Sequence, residues 1–252
     1  MPCPPAVIFD LDDTLAESFH APPKETLEGL KKLLEKIPVA IMTGAGLPRM
    51  EQQFLPTLVE SSHSDRLYIF PNSAAQLYVW NTGTWREVYG HSLTGEERER
   101  IKATILETVT ELPAFKDILH FGQQMFDREA QIAYTHLGVD ASADVKRTWD
   151  PDGSKRGALW QSLKRKLPEF EVLIGGTTTI DITRKDVNKS YGVTWLAKEL
   201  GLEPKDMLYV GDALYAGGND AVVISTGIQT RAVSGPAETK EVIDELISIC
   251  AV

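Results

Sequence analysis

The apolar positions of this chain change period several times, and the order of the changes predicts an architecture. Ala6 to Phe9 is an unbroken apolar run of strand length. Behind Pro22-Pro23, Leu27, Leu30, Leu33 and Leu34 recur at helical spacing from Lys24 to Lys36, and Pro38 stops that helix. A second strand-sized run, Val39 to Met42, ends at Thr43-Gly44. Residues 47 to 60 predict another helix, kinked or broken by Pro56, and Leu67 to Phe70 predicts a third strand. The order β, α, β, α, β is that of a parallel, doubly wound sheet.

The grammar then changes. Gln76 to Trp80, the turn Asn81-Thr82-Gly83 and Trp85 to Tyr89 predict a hairpin. Thr94 and Glu97 stand at capping-box spacing before a helix reaching about Leu112. Ile118 to Phe126 and Ala130 to Leu137 are strand-like, Asp152-Gly153-Ser154 opens a basic amphipathic helix to Leu167, and Phe170 to Ile174 and Thr177 to Thr183 form a last strand pair. This αββαββ unit sits inside an α/β chain, as an inserted cap over a crevice would. The alternating pattern resumes with a helix from Asn188 to Leu200, a strand at Met207 to Val210, a short strand through Ala232 and a helix from Pro236 to Ile249. The expected division is an α/β core in residues 1–80 and 184–252 with the α+β insertion in 81–183.

Composition narrows the function classes. With 252 residues, 42% of them apolar and a quarter charged, the chain has material for a real core. A formal charge of −10 argues against a nucleic-acid surface, and the apolar runs are too short to span a membrane. The opening Met1-Pro2-Cys3-Pro4-Pro5 has neither a basic nor an apolar leader region, so a cytoplasmic protein is expected. Cys3 and Cys250 are accordingly expected as reduced thiols, although they could meet in space.

Chemistry gathers at the ends of the predicted strands. The first strand runs into Asp10-Leu11-Asp12-Asp13-Thr14, and in an open α/β sheet ligands bind beyond such ends. Alone, this stretch reads as an acidic turn capping the next element. With Thr43, Lys189, and Asp212 and Asp220 at later element ends, it supplies what phosphoryl transfer through an aspartate requires. One carboxylate attacks phosphorus, another protonates the leaving oxygen, and a magnesium ion held by acids neutralises charge. Thr43 and Lys189 would donate to the phosphoryl oxygens. A cation ~4 Å from one of them is worth roughly 4 kcal/mol at an effective dielectric of about 20.

These residues resemble the motifs of the haloacid dehalogenase (HAD) superfamily, subfamily IIB, closest to its phosphomannomutase branch. Motif I is Asp10-Leu11-Asp12-Asp13-Thr14, motif II Met42-Thr43-Gly44, motif III Lys189 and motif IV Gly211-Asp212 through Gly217-Gly218-Asn219-Asp220. Gly175-Gly176-Thr177-Thr178-Thr179-Ile180-Asp181 resembles the return from cap to core in that branch. The resemblance implies a Rossmannoid parallel-sheet core with a C2B-type cap and Mg2+ as cofactor. It makes Asp10 the nucleophile and a metal ligand, Asp12 the general acid/base with a carbonyl on the metal, and Asp212 the other metal carboxylate. Asp220 is a further ligand or supporting partner. Gly44, Arg128, Thr179 and Asp181 are implied to contact substrate, and pairing of two chains through their caps is implied as well.

One departure bears on the reaction. Phosphomannomutases hold a second phosphate with several arginines. Here Phe19, His120, Gly138, Val139 and Asp140 stand where such cations are expected, leaving Arg128 between Asp127 and Glu129. Arg128 reads equally as a strand residue paired with those acids. Arg184 and Lys185 read as solvation at the chain's re-entry or as substrate contacts, and the tryptophans as packing. The expectation is a Mg2+-dependent phosphatase acting on a small sugar phosphate, with a phosphohexomutase as alternative and a non-catalytic binding protein as a third reading.

Overall fold

A computed structural model of the chain describes residues 2–116, 118–176 and 178–250. The chain separates into two units, residues 1–90 with 189–252, and residues 91–188.

The first unit begins with β1 (Val7–Phe9), α1 (Lys24–Leu34), β2 (Val39–Met42), α2 (Leu47–Gln53), α3 (Leu55–Leu58) and β3 (Leu67–Phe70). The single helix expected over 47 to 60 is split at Phe54, whose φ of −154° is not helical, two residues before Pro56. β4 (Gln76–Asn81) and β5 (Thr84–Gly90) then form the expected hairpin. This hairpin belongs to the core sheet: β4 pairs antiparallel with β3, Tyr68 opposite Val79. Residues 81–90, expected in the insertion, therefore lie in the first unit.

In the second unit, α4 (Gly95–Glu111) carries the Thr94–Glu97 capping box, with Thr94 Oγ1 accepting from the Glu97 N–H and Glu97 Oε2 from the Thr94 N–H. There follow β6 (Met125–Asp127), β7 (Ile132–Thr135), α5 (Ala143–Trp149), α6 (Ser154–Lys166), β8 (Phe170–Ile174) and β9 (Thr179–Arg184). The sheet order is β6-β7-β9-β8, all antiparallel. The long strand expected from Ile118 shrinks to three residues because Gly122, at φ +76°, turns the chain before it. Residue 177, expected to begin the last strand, lies outside the described residues. α5 fills a stretch for which the pattern predicted no element.

The chain returns with α7 (Lys189–Leu200), β10 (Leu208–Gly211), β11 (Gln229–Ala232) and α8 (Pro236–Ile249). The core sheet runs β11-β10-β1-β2-β3-β4-β5, parallel from β11 to β3. Alternation on β1 sends Val7 and Phe9 to the face covered by α1 and α8, and Ile8 to the face covered by α7. Gly192 permits the second packing, since a Cβ there would stand 2.6 Å from Met42 Cε and 2.8 Å from Ala74 Cβ. Its absence brings the first turn of α7, and Lys189 with it, down onto the strands.

Cys3 and Cys250 form a disulfide, which corrects the expectation of free thiols. A helix following a parallel strand returns along the sheet, so α8 ends at the edge where the strands begin and Cys3 enters. The two Cα atoms stand 5.1 Å apart. Among the described residues, no helix is long and apolar enough to cross a membrane.

Candidate active site

The carboxyl ends of β1, β2 and β10, adjacent in the sheet, deliver Asp10, Thr43 and Asp212 to one edge. Lys189 arrives on the first turn of α7, and Asp220 on the loop after β10. Asp10, Lys189 and Asp220 are each at most 3% exposed. Lys189 Nζ donates to Asp10 Oδ1 at 2.7 Å and to Asp220 Oδ1 at 2.6 Å. The Tyr209 hydroxyl donates to the same Asp220 oxygen at 2.6 Å, and the Ala213 N–H to the other at 3.3 Å. Gly211 leaves room for this carboxylate: a Cβ there would lie 2.3 Å from Asp220 Oδ2. Thr14 Oγ1 donates to Asp212 Oδ1 and accepts from the Asp212 N–H, both at 3.0 Å, tying the β1 loop to the β10 loop.

Charge in this cluster is unbalanced. One lysine serves three carboxylates, Asp10, Asp212 and Asp220, whose oxygens approach within 4.8 Å of one another. Burial pushes Asp10 well above the ordinary carboxylate range, against the pull of Lys189, and Asp220 and Asp212 push it further. Asp212 is pushed up to about 6 by burial and by Asp220. Burial works against the charge on Lys189, but Asp10 and Asp220 more than offset it and hold the lysine protonated. Such a group favours one more positive charge, and its hard oxygen donors suit a magnesium-type divalent cation. The donors are not equivalent. Among the described residues, Asp10 commits one oxygen to Lys189 and Asp212 one oxygen to Thr14, whereas both Asp220 oxygens are engaged by Lys189, Tyr209 and Ala213. Asp220 therefore fits better as the anchor of Lys189 than as a metal ligand.

The Asp12 carboxylate is outside this cluster and faces Arg49, which donates to it through Nη2 at 2.7 Å and Nη1 at 3.0 Å. Its expected part in holding the metal was through its carbonyl, which this pairing leaves untouched. Thr43 is 1% exposed and its hydroxyl accepts from the Ala45 N–H at 3.0 Å, leaving its proton to donate. Gly44 follows in the same half-buried loop.

The other expected substrate contacts belong to the second unit. Asp181 opposes Ala133, and Thr179 opposes Thr135, across β7 and β9. The turn before β9 is held by Arg156, which donates to the Gly175 and Gly176 carbonyls and pairs with Asp150 at 2.9 Å. Arg128 lies over the Phe126 ring at 5.6 Å and donates to Gln131 Oε1 at 2.9 Å. Asp127 pairs instead with Arg98 and Lys102. Arg184 makes two bonds to Glu97 and one to the Ser92 carbonyl, so it braces α4 rather than solvating a hinge. Near the turn where arginines were expected, Lys146 of α5 donates to the Val139 carbonyl at 2.9 Å.

Sequence reasoning missed Arg49, Tyr209 and Lys146 and gave Thr14 no role. The only local signal for Arg49 was its i, i+4 spacing to Gln53, to which its Nε donates at 3.1 Å.

The chain is similar in sequence and in fold to known proteins. Phosphomannomutase from Spinacia oleracea is 23% identical over 255 residues, covering 98% of each chain. Phosphomannomutase 2 from Dictyostelium discoideum is 24% identical over 248 residues, covering 94% of each. In fold the chain is similar to an IMP-nucleotidase of Plasmodium falciparum, with a TM-score of 0.71 at 18% identity over 96% of this chain and 68% of that one. It is also similar to the C-terminal domain of the C. albicans trehalose-6-phosphate phosphatase, with a TM-score of 0.66 at 14% identity over 98% and 94%. Residues 26–249 match the family described as eukaryotic phosphomannomutase, and the chain belongs to that family, within the HAD superfamily.

Proposed function

We propose that the chain moves a phosphoryl group on a hexose phosphate through an aspartyl phosphate on Asp10, as a phosphohexomutase does. The buried Asp10–Lys189 pair beside Asp212 is the observation that carries the reading. The near-full-length likeness to curated phosphomannomutases favours isomerisation over the hydrolysis expected from the missing arginines.

In this reading an Asp10 oxygen attacks phosphorus, the ester P–O bond breaks, and its electron pair goes to the leaving oxygen, which takes a proton from Asp12. Lys189, fixed by Asp220 and Tyr209, and Thr43 donate to the phosphoryl oxygens as charge builds on them. The phosphoryl donor in that step is a hexose bisphosphate; in the return step the free hydroxyl of a hexose monophosphate attacks the phosphoryl group on Asp10, the aspartyl P–O bond breaks, and Asp12 takes the hydroxyl proton. A divalent cation held by Asp10, Asp212 and the Asp12 carbonyl would supply neutralising charge.

Hydrolysis remains a second reading because His120, Gly138, Val139 and Asp140 stand where the resemblance implies arginines for a second phosphate. Arg128 already holds Gln131, and Lys146 already holds the Val139 carbonyl. Incubation with Mg2+ and hexose monophosphates, with and without a hexose bisphosphate, separates the two. An isomeric ester appearing only with the bisphosphate supports the first reading, free phosphate alone supports the second, and no change in either contradicts both.

A further inference from the structure

Asp12, the proton carrier of the proposed reaction, is held by a closed ring of contacts from an element that carries no recognised motif. Arg49 on α2 grips both Asp12 oxygens, at 2.7 and 3.0 Å. The Phe19 N–H adds a third bond, to Asp12 Oδ1, at 3.0 Å. Arg49 is held in turn: its Nε donates to Gln53 Oε1 at 3.1 Å, and its guanidinium lies 5.3 Å from the Phe19 ring centroid. Gln53 Nε2 closes the ring on the Phe19 carbonyl at 2.9 Å. Phe19 itself adopts φ +67°, a conformation an aromatic residue rarely accepts, and in it the Phe19 amide bonds Asp12. An isolated surface ion pair contributes little, but a two-pronged guanidinium clamp with its own supports fixes a carboxylate plane. Of the two Asp12 oxygens, Oδ2 accepts one of these bonds and Oδ1 two, so Oδ2 keeps a lone pair for a proton in transit.

We propose that Arg49 is a positioning residue that orients Asp12 for proton transfer at the ester oxygen, and that Gln53 and Phe19 keep Arg49 in place. The proposal rests on the reading of Asp12 as proton carrier.

The leaving group provides the test, because 4-nitrophenolate departs without a proton and a sugar alkoxide does not. Single-turnover release from 4-nitrophenyl phosphate and from a hexose bisphosphate is measured with Mg2+ for the unaltered protein and for Arg49→Met, Arg49→Lys and Gln53→Ala. Arg49→Met is expected to slow release of the sugar ester about 30-fold and of 4-nitrophenol less than about twofold, a smaller loss than the roughly 10²–10⁴-fold of removing the proton-transfer group itself. Arg49→Lys keeps the charge but loses the fork, so it shows the same selectivity with a smaller loss. Gln53→Ala, which leaves Arg49 in place, keeps the test valid if Arg49→Met does not fold. Equal losses on both esters, no loss, or faster release from the sugar ester overturn the role of Arg49. Failure of the unaltered protein to release either alcohol overturns the parent reading and this proposal with it.

Discussion

The two units use the same charged residue types in opposite ways. In the second unit several acids meet a matching cation and the pair secures an element: Asp150 with Arg156 at the start of α6, Glu97 with Arg184 at the start of α4, Asp127 with Arg98 and Lys102. At the strand ends of the first unit, three acids share one buried lysine, and Asp10 and Asp212 are both pushed above their ordinary range. Matched pairs stabilise local structure and have little left to offer a ligand. An unmatched buried cluster costs stability and is retained where a cation or phosphoryl group completes it. Chemistry is therefore assigned to the first unit and scaffolding to most charges of the second.

The sharpest way to break this contrast is Asp10→Asn. It relieves like-charge repulsion, so the protein is expected to fold at least as well by thermal melting while phosphoryl transfer falls by about 10⁴-fold or more, as for loss of other nucleophiles. Retained transfer would remove the special status of the cluster.

A second test addresses what holds the first unit together apart from charge. Breaking the Cys3–Cys250 link by reduction or by Cys250→Ser frees a loop of sequence separation 247. Chain entropy puts the loss at roughly 5 kcal/mol, read by urea denaturation with and without reductant.

Lys189→Ala is expected to cost about 3–5 kcal/mol, because it leaves buried carboxylates unpaired. Arg98→Ala, at a matched pair in the second unit, is expected to cost less than about 1 kcal/mol. Equal losses in the two variants would erase the distinction.

A smaller effect than that of Lys189→Ala is a pH dependence that arises in the second unit. His136 is 2% exposed, its Nδ1 shares a hydrogen bond with the Tyr134 hydroxyl at 2.8 Å, and burial lowers its pKa from 6.5 to about 4. Between these values the unfolded chain binds the proton and the folded unit does not, so stability rises with pH across that window and is lost as pH falls from 6.5 toward 4. The expected loss is about 2–3 kcal/mol, and His136→Phe should flatten the profile followed by tryptophan fluorescence.

What was legible in the sequence follows the range of the interactions involved. Helical and strand periods, the Thr94–Glu97 cap and the motif acids are local signals, and they located β1, α1, β2, β3, α4, β8, α7, β10 and α8 closely. Contacts between distant segments left no such mark. Arg49 meets Asp12 across 37 positions, Thr14 meets Asp212 across 198, and the cysteines meet across 247. The β4–β5 hairpin was evident from its turn, but its membership of the core sheet depends on pairing with β3. α5 is only seven residues long and carries no repeated apolar spacing, so Lys146, the cation it supplies to the 138–141 turn, went unseen in a search for arginines.

The most direct measurement is mass spectrometry of the acid-quenched protein after brief incubation with Mg2+ and a hexose bisphosphate. The account predicts one phosphoryl group on the peptide that contains Asp10, absent from Asp10→Asn. Turnover with the phosphoryl group on another residue, or on none, would contradict it.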